Sequence, residues 1–167
     1  FGSSQSDQVL PGKDGWLFYK DGPDAARPVA NYQGLPETFD SEETLAAAAA
    51  SLQRLSDTLA GNGCTLVLDL APSKDRIYRE FMPDAYPIVN EENRTDRFAA
   101  YMTDHTSVAV SWPYEALRAE AQRRMEAGEN SLYFKTDTHW NHAGALFGLD
   151  GALSAAGLET VSFDRYQ

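Results

Sequence analysis

The run CTLVLDLA, residues 64–71, is apolar with β-branched residues and no alternation, the pattern of a strand covered on both faces. Strands of that kind belong to parallel sheets, whose members are joined by long crossovers, usually helices. The chain around it must therefore alternate strand and helix. On that reasoning residues 107–111 (SVAVS) and 131–134 (SLYF) read as further strands, and ETVSF at 159–163 as a last one.

Helical periodicity fills the gaps. Leu45, Ala48, Leu52, Leu55 and Leu59 recur every three or four residues up to Gly61, and Asp40 with Glu43 has capping-box spacing at the start. Further helices are expected from about Asn93 to Asp104 and from Pro113 to about Ala127, where a proline suits the first turn. Another follows from HAGALFGLDGALSAAG, with Leu146, Leu149 and Leu153 on one stripe and Gly157 as the stop. Near the amino end, apolar residues 9–10 and 16–19 flank PGKDG, whose Asp14-Gly15 step suits a β-hairpin turn. Residues 21–39 carry Gly and Pro without a period and read as a long surface connection, with Tyr32 as a packing anchor. The fold class is α/β: a mostly parallel sheet flanked by helices, with an amino-terminal β-hairpin, in one domain over 1–167.

A chain of 167 residues with 43% hydrophobic content can bury one core. Fourteen basic against 25 acidic side chains leave a charge of -11 and no basic block, which argues against nucleic acid as a partner. No apolar run is long enough to span a bilayer, and FGSSQSDQ lacks the features of an export signal. Cys64 is the lone cysteine, so no internal disulfide forms; its apolar setting suggests a small buried side chain.

The chemistry gathers in TDTHWNHAGA, residues 136–145. Following a strand, Asp137 and His139 would lie at a carboxyl end, where open parallel sheets collect ligands. Two apart in an extended segment, they point the same way, so the Asp137 carboxylate can accept the His139 Nδ1–H. That fixes one tautomer and leaves Nε2 as a base, the orienter-and-base half of a catalytic triad. The same triplet is also compatible with a polar loop, and Asp137, His139 and His142 with a divalent metal site. His105, after Asp104 at a helix end, reads as a structural charge near a helix terminus. In PSKDRIY, Lys74, Arg76 and Tyr78 either line a cleft and supply positive charge to a carboxylated sugar or, for the two cations, sit solvated beside Asp75 and Glu80. Trp16 and Phe18 read as core cover.

Taken in order, GKDGWLFY, APSKDRIY and TDTHWNHAGA resemble the SGNH-hydrolase-like domain of the alginate O-acetyltransferase (AlgX/AlgJ) family, over about Val9 to Gly157. The resemblance implies an SGNH-hydrolase-like fold and makes Asp137 and His139 triad members, with Trp140 closing the motif. It further implies acetyl transfer to hydroxyls of an exported polysaccharide, in the periplasm, with or without a membrane anchor. The implied partners are that polysaccharide and an acetyl-donor membrane protein. No cofactor and no metal are implied. Family members carry the nucleophilic serine well beyond the DTHW segment, whereas Gln167 lies only 28 residues after His139. Ser154 falls inside the last helix and Ser162 lacks a glycine-flanked turn. The expectation is an amino-terminal part of a longer enzyme, inactive alone, with its serine elsewhere. The competing class is a catalytically inactive carbohydrate-binding or scaffold protein of a polysaccharide export complex.

Overall fold

The computed structural model of the chain describes residues 7–20, 27–36 and 41–161. The chain divides into two compact units, residues 1–35, 72–93 and 114–145 in the first, and 36–71, 94–113 and 146–167 in the second.

The first unit begins with the expected hairpin. Strands β1 (Val9–Pro11) and β2 (Leu17–Tyr19) pair antiparallel, with Leu10 opposite Phe18. Both of these are buried, as the two-residue period of a half-covered ribbon requires. The chain reverses through a 3-10 turn at Lys13–Gly15, where Asp14 and Gly15 both have positive φ, 52° and 78°. The stretch read as an unstructured connection contains helix α1, Pro28–Gln33. Six residues are too few to display a 3.6-residue period; the usable signals were Pro28 opening the helix and Gly34, in the left-handed region, closing it. Tyr32 is buried on α1, as expected of an anchor.

A short helix α3, Lys74–Ile77, and α5, Tyr114–Ala127, pack together in the same unit. Their core is aromatic: the Trp16 ring stacks on Tyr78 at 4.5 Å and on Phe81 at 4.8 Å between centroids. Arg118, buried on α5, donates to the Ile77 carbonyl and pairs with Glu80.

In the second unit, α2 (Glu42–Ala60) is capped by Ser41, whose side chain accepts from the Thr44 N–H at 3.2 Å. The cap expected at Asp40 lies outside the described residues, and Ser41 fills the role. Strands β3 (Val67–Asp69) and β4 (Ala109–Ser111) pair in parallel, Leu68 opposite Val110. Helix α4, Arg94–His105, packs on α2. His105 stacks on Tyr101 and its Nδ1 bonds the Tyr101 carbonyl, a local structural role. Cys64 is exposed rather than buried, because it belongs to the turn that leaves α2, its N–H donating to the Leu59 carbonyl. Helix α6, His142–Ala155, starts in the first unit and continues in the second, with Gly157 at φ 70° just beyond it. Leu149 on its stripe is exposed, while Leu146 and Leu153 are half-buried.

One expected strand does not form, and another lies partly outside the described residues. Residues 131–134 form only a single antiparallel bridge, Tyr133 to Trp140. Of the last one, 159–161 are irregular and 162–163 fall outside the described residues. No helix among the described residues is long and apolar enough to cross a membrane.

Candidate active site

A narrow loop, Leu132 to Asn141, carries the site. Its two limbs are joined by the Tyr133–Trp140 bridge and by backbone bonds from Phe134 N to His139 O (3.2 Å) and from Asn141 N to Leu132 O (2.9 Å). The limbs therefore pair with each other, and Leu132 N–H donates to the Tyr78 hydroxyl at 2.7 Å rather than to a neighbouring strand. That is why the apolar run does not enter a parallel sheet, and Asp137 and His139 sit at a loop tip instead of a strand end.

At the tip the expected pair is formed. Asp137 Oδ1 lies 2.7 Å from His139 Nδ1 and also accepts the His139 backbone N–H at 2.8 Å. One oxygen thus fixes both the ring and the backbone two residues on, a side-chain-closed turn typical of Asp. The contact arises from this bend, not from strand alternation. The His139 backbone N–H, then its ring, hold the Asp137 carboxyl below its ordinary value, with Lys74 adding to the effect. Both side chains are solvent-accessible, 59% for Asp137 and 78% for His139. Among the described residues no partner bonds His139 Nε2, so that nitrogen faces outward as a base requires. A groove of about 280 Å³ runs past Asp137, lined by Leu17, Phe18 and Tyr19 of the hairpin and by Thr136 and Thr138.

The three residues expected to line a cleft are buried rather than in solvent. Lys74 is 4% exposed, Arg76 3% and Tyr78 0%. The Lys74 ammonium donates to the carbonyls of Phe134 (3.1 Å), Lys135 (3.2 Å) and Asp137 (2.7 Å). The Arg76 guanidinium donates to the Glu91 carbonyl and lies 4.8 Å from the Tyr114 ring centre. The solvated-loop reading of the two cations is corrected by this burial: protein groups bond them, three loop carbonyls for Lys74 and the Glu91 carbonyl and Tyr114 ring among those at Arg76. Asn141 was missed. Its Oδ1 accepts the Gly144 N–H at 3.1 Å, capping α6, and its amide donates to the Ser131 carbonyl. An asparagine directly before a helical run is a readable cap signal.

Trp140 is half-buried, its ring 6.5 Å from Tyr133. His142 is exposed at the start of α6, and among the described residues no three His, Cys, Asp or Glu side chains are grouped to hold a metal.

Asp75, 6% exposed, has its carboxyl pushed up to about 6 by burial, against the opposing pull of the Ser73 hydroxyl, the Arg76 N–H and the cations beside it. Because the folded value exceeds the unfolded one, the folded state keeps a proton that the unfolded chain releases. The stability this confers is complete below about pH 4 and disappears as pH rises through 6, on the order of 3 kcal/mol. Urea unfolding of Asp75→Asn is expected to lose this component, so that its stability relative to wild type rises between pH 4.5 and 7; parallel pH curves would contradict the assignment.

Comparison with known proteins follows the same residues. Positions 9–156 match the family described as the SGNH hydrolase-like domain of the acetyltransferase AlgX. The chain is 31% identical over 138 residues to a protein of Pseudomonas syringae pv. tomato named "Probable alginate O-acetylase AlgJ", and 27% identical over 139 residues to the protein of that name from Pseudomonas putida. Each alignment takes in 82% of this chain but only 30% and 31% of the relative, so the chain spans about a third of their length. Among solved structures, the O-acetyltransferase domain of Pseudomonas putida AlgJ superposes with a TM-score of 0.64 at 23% identity, covering 89% of this chain and 47% of that one. Bacillus cereus PatB1 with a sulfonyl adduct gives 0.62 at 16%, covering 100% and 51%. These superpositions establish an α/β fold of the SGNH hydrolase-like kind.

Proposed function

Because the chain belongs to the AlgX family of SGNH hydrolase-like acetyltransferase domains, we propose that it carries the orienting and base half of a Ser-His-Asp triad for acetyl transfer to hydroxyls of an exported polysaccharide of the alginate type. The observation that carries this reading is the 2.7 Å bond between Asp137 Oδ1 and His139 Nδ1, with Nε2 open to solvent. The nucleophilic serine lies in sequence beyond this chain. In support, Ser154 lies within α6, not on a glycine-flanked turn that would expose a nucleophile.

In the first half-reaction His139 Nε2 takes the serine hydroxyl proton as Oγ bonds the acetyl carbon. The tetrahedral intermediate collapses by breaking the bond to the donor's leaving group, which receives that proton from Nε2. In the second, Nε2 takes a proton from the sugar hydroxyl, whose oxygen bonds the acetyl carbon, and the proton returns to the departing serine. Asp137 stays ionised throughout and stabilises each imidazolium; its lowered pKa favours that charge state. Backbone N–H donors at the developing oxyanion are worth about 3 to 4 kcal/mol each in such sites. An acetyl-donor membrane protein supplies the acetyl group in the periplasm.

The test is to incubate the complete gene product with an activated acetyl ester and an acceptor oligosaccharide. A trapped acetyl-serine and an acetylated sugar are expected. Saturable oligosaccharide binding with no serine acetylation and no ester turnover would instead mark a binding or scaffold protein.

A further inference from the structure

We propose that Lys74 is a positioning residue for the Asp137–His139 pair, gathering the carbonyls of Phe134, Lys135 and Asp137 on one ammonium group. This rests on the role of the pair inferred above and names what holds it in place.

Three carbonyl oxygens of the loop's first limb converge on a single point beneath its tip. Left alone, their dipoles would repel, and two of the three, those of Phe134 and Asp137, would lose the ammonium that bonds them. An ammonium group is the one side-chain end that offers three donors and no acceptor. Lys74 delivers it from the first position of α3, with the charge 5.5 Å from the Trp16 ring centre and 5.2 Å from that of Phe18. The Lys135 carbonyl also accepts the Leu17 N–H of β2 at 3.0 Å. The limb is thus held from two sides, by the hairpin backbone and by Lys74.

The shortest of the three bonds, 2.7 Å, goes to the carbonyl of Asp137 itself. It ties down the Asp137 peptide, while the carboxylate on the same residue bonds the imidazole. Lys74 is therefore the physical link among the three motifs, since its ammonium group lies over the hairpin aromatics Trp16 and Phe18 and also bonds the limb that leads to the Asp-x-His turn. It is buried and does not reach the reacting atoms, so its contribution is to geometry.

The test is Lys74→Met in the complete gene product, which keeps an unbranched side chain of similar length beside Trp16 and Phe18 and removes every donor. A displacement of about 1 Å in catalytic groups costs on the order of 100-fold in rate, so kcat for transfer from an activated acetyl ester is expected to fall about 100-fold while KM stays within about threefold. A folded variant with kcat within threefold of wild type would overturn the proposal. If the variant does not fold, the unaltered protein decides: the Lys74 Nζ resonance is expected to show slowly exchanging protons and scalar coupling to the Asp137 carbonyl carbon, and rapid exchange without coupling would overturn it. A wild-type protein with no acetyl transfer defeats the functional reading instead, and the Nζ spectrum still decides the clamp.

Discussion

Replacing His139 with alanine in the complete gene product is expected to lower acetyl transfer by about 1,000-fold, within the range lost when a positioned general base is removed, and to leave the melting temperature almost unchanged. The two halves of that result come from the same geometry. His139 is 78% exposed and its ring bonds only neighbours in its own turn, so little packing is lost with it. Its Nε2 is the one nitrogen of the pair free to exchange protons with a hydroxyl. Asp137→Ala should cost less, because the carboxylate acts through the imidazole rather than on substrate. Rates measured under saturating ester, beside a thermal melt, separate loss of chemistry from loss of fold; a variant within threefold of wild type would remove His139 from the mechanism.

The second large effect is on stability. Gly144, in the first turn of α6, sits so close to the loop that a Cβ there would overlap the Leu132 carbonyl oxygen and stand 2.8 Å from Trp140 Cβ. Neither neighbour can yield cheaply. The Leu132 carbonyl accepts the Asn141 N–H, its own N–H is held by the Tyr78 hydroxyl, and Trp140 is tied into the bridge with Tyr133. Alanine recovers about 1 kcal/mol of helix propensity, but forcing a methyl against backbone typically costs up to about 3 kcal/mol. Gly144→Ala is therefore expected to destabilise the chain by about 2 kcal/mol net and to lower activity, since the same contact closes the loop that presents Asp137 and His139. A urea midpoint equal to or above wild type would contradict the crowding.

These two sites differ in how readable they were. The Asp-x-His spacing is local, and a carboxylate two residues before an imidazole meets it in a bend as well as in a strand; the pair was legible although its backbone was not. The hairpin was legible because Asp14-Gly15 encodes its turn chemically. Residues 131–134 misled because a run as short as Ser-Leu-Tyr-Phe carries no information about who accepts its hydrogen bonds. The acceptor of Leu132 N–H is a tyrosine 54 residues earlier. Lys74 and Arg76 looked like solvated charges for the same reason: they bond backbone carbonyls, which any residue supplies, 60 to 63 positions away for Lys74 and 15 for Arg76. Gly144 gave no warning either, because a glycine needed for close approach looks like any other glycine in a helix.

The proposed chemistry turns on which ring nitrogen of His139 carries the proton in the neutral form. The ¹⁵N spectrum of that imidazole in the complete gene product, recorded near pH 8, answers this directly. A protonated Nδ1 donating to Asp137 beside an unprotonated Nε2 is predicted, with the preference weakened in Asp137→Ala. A neutral ring protonated at Nε2, or one whose two nitrogens share the proton as in free histidine, would contradict it.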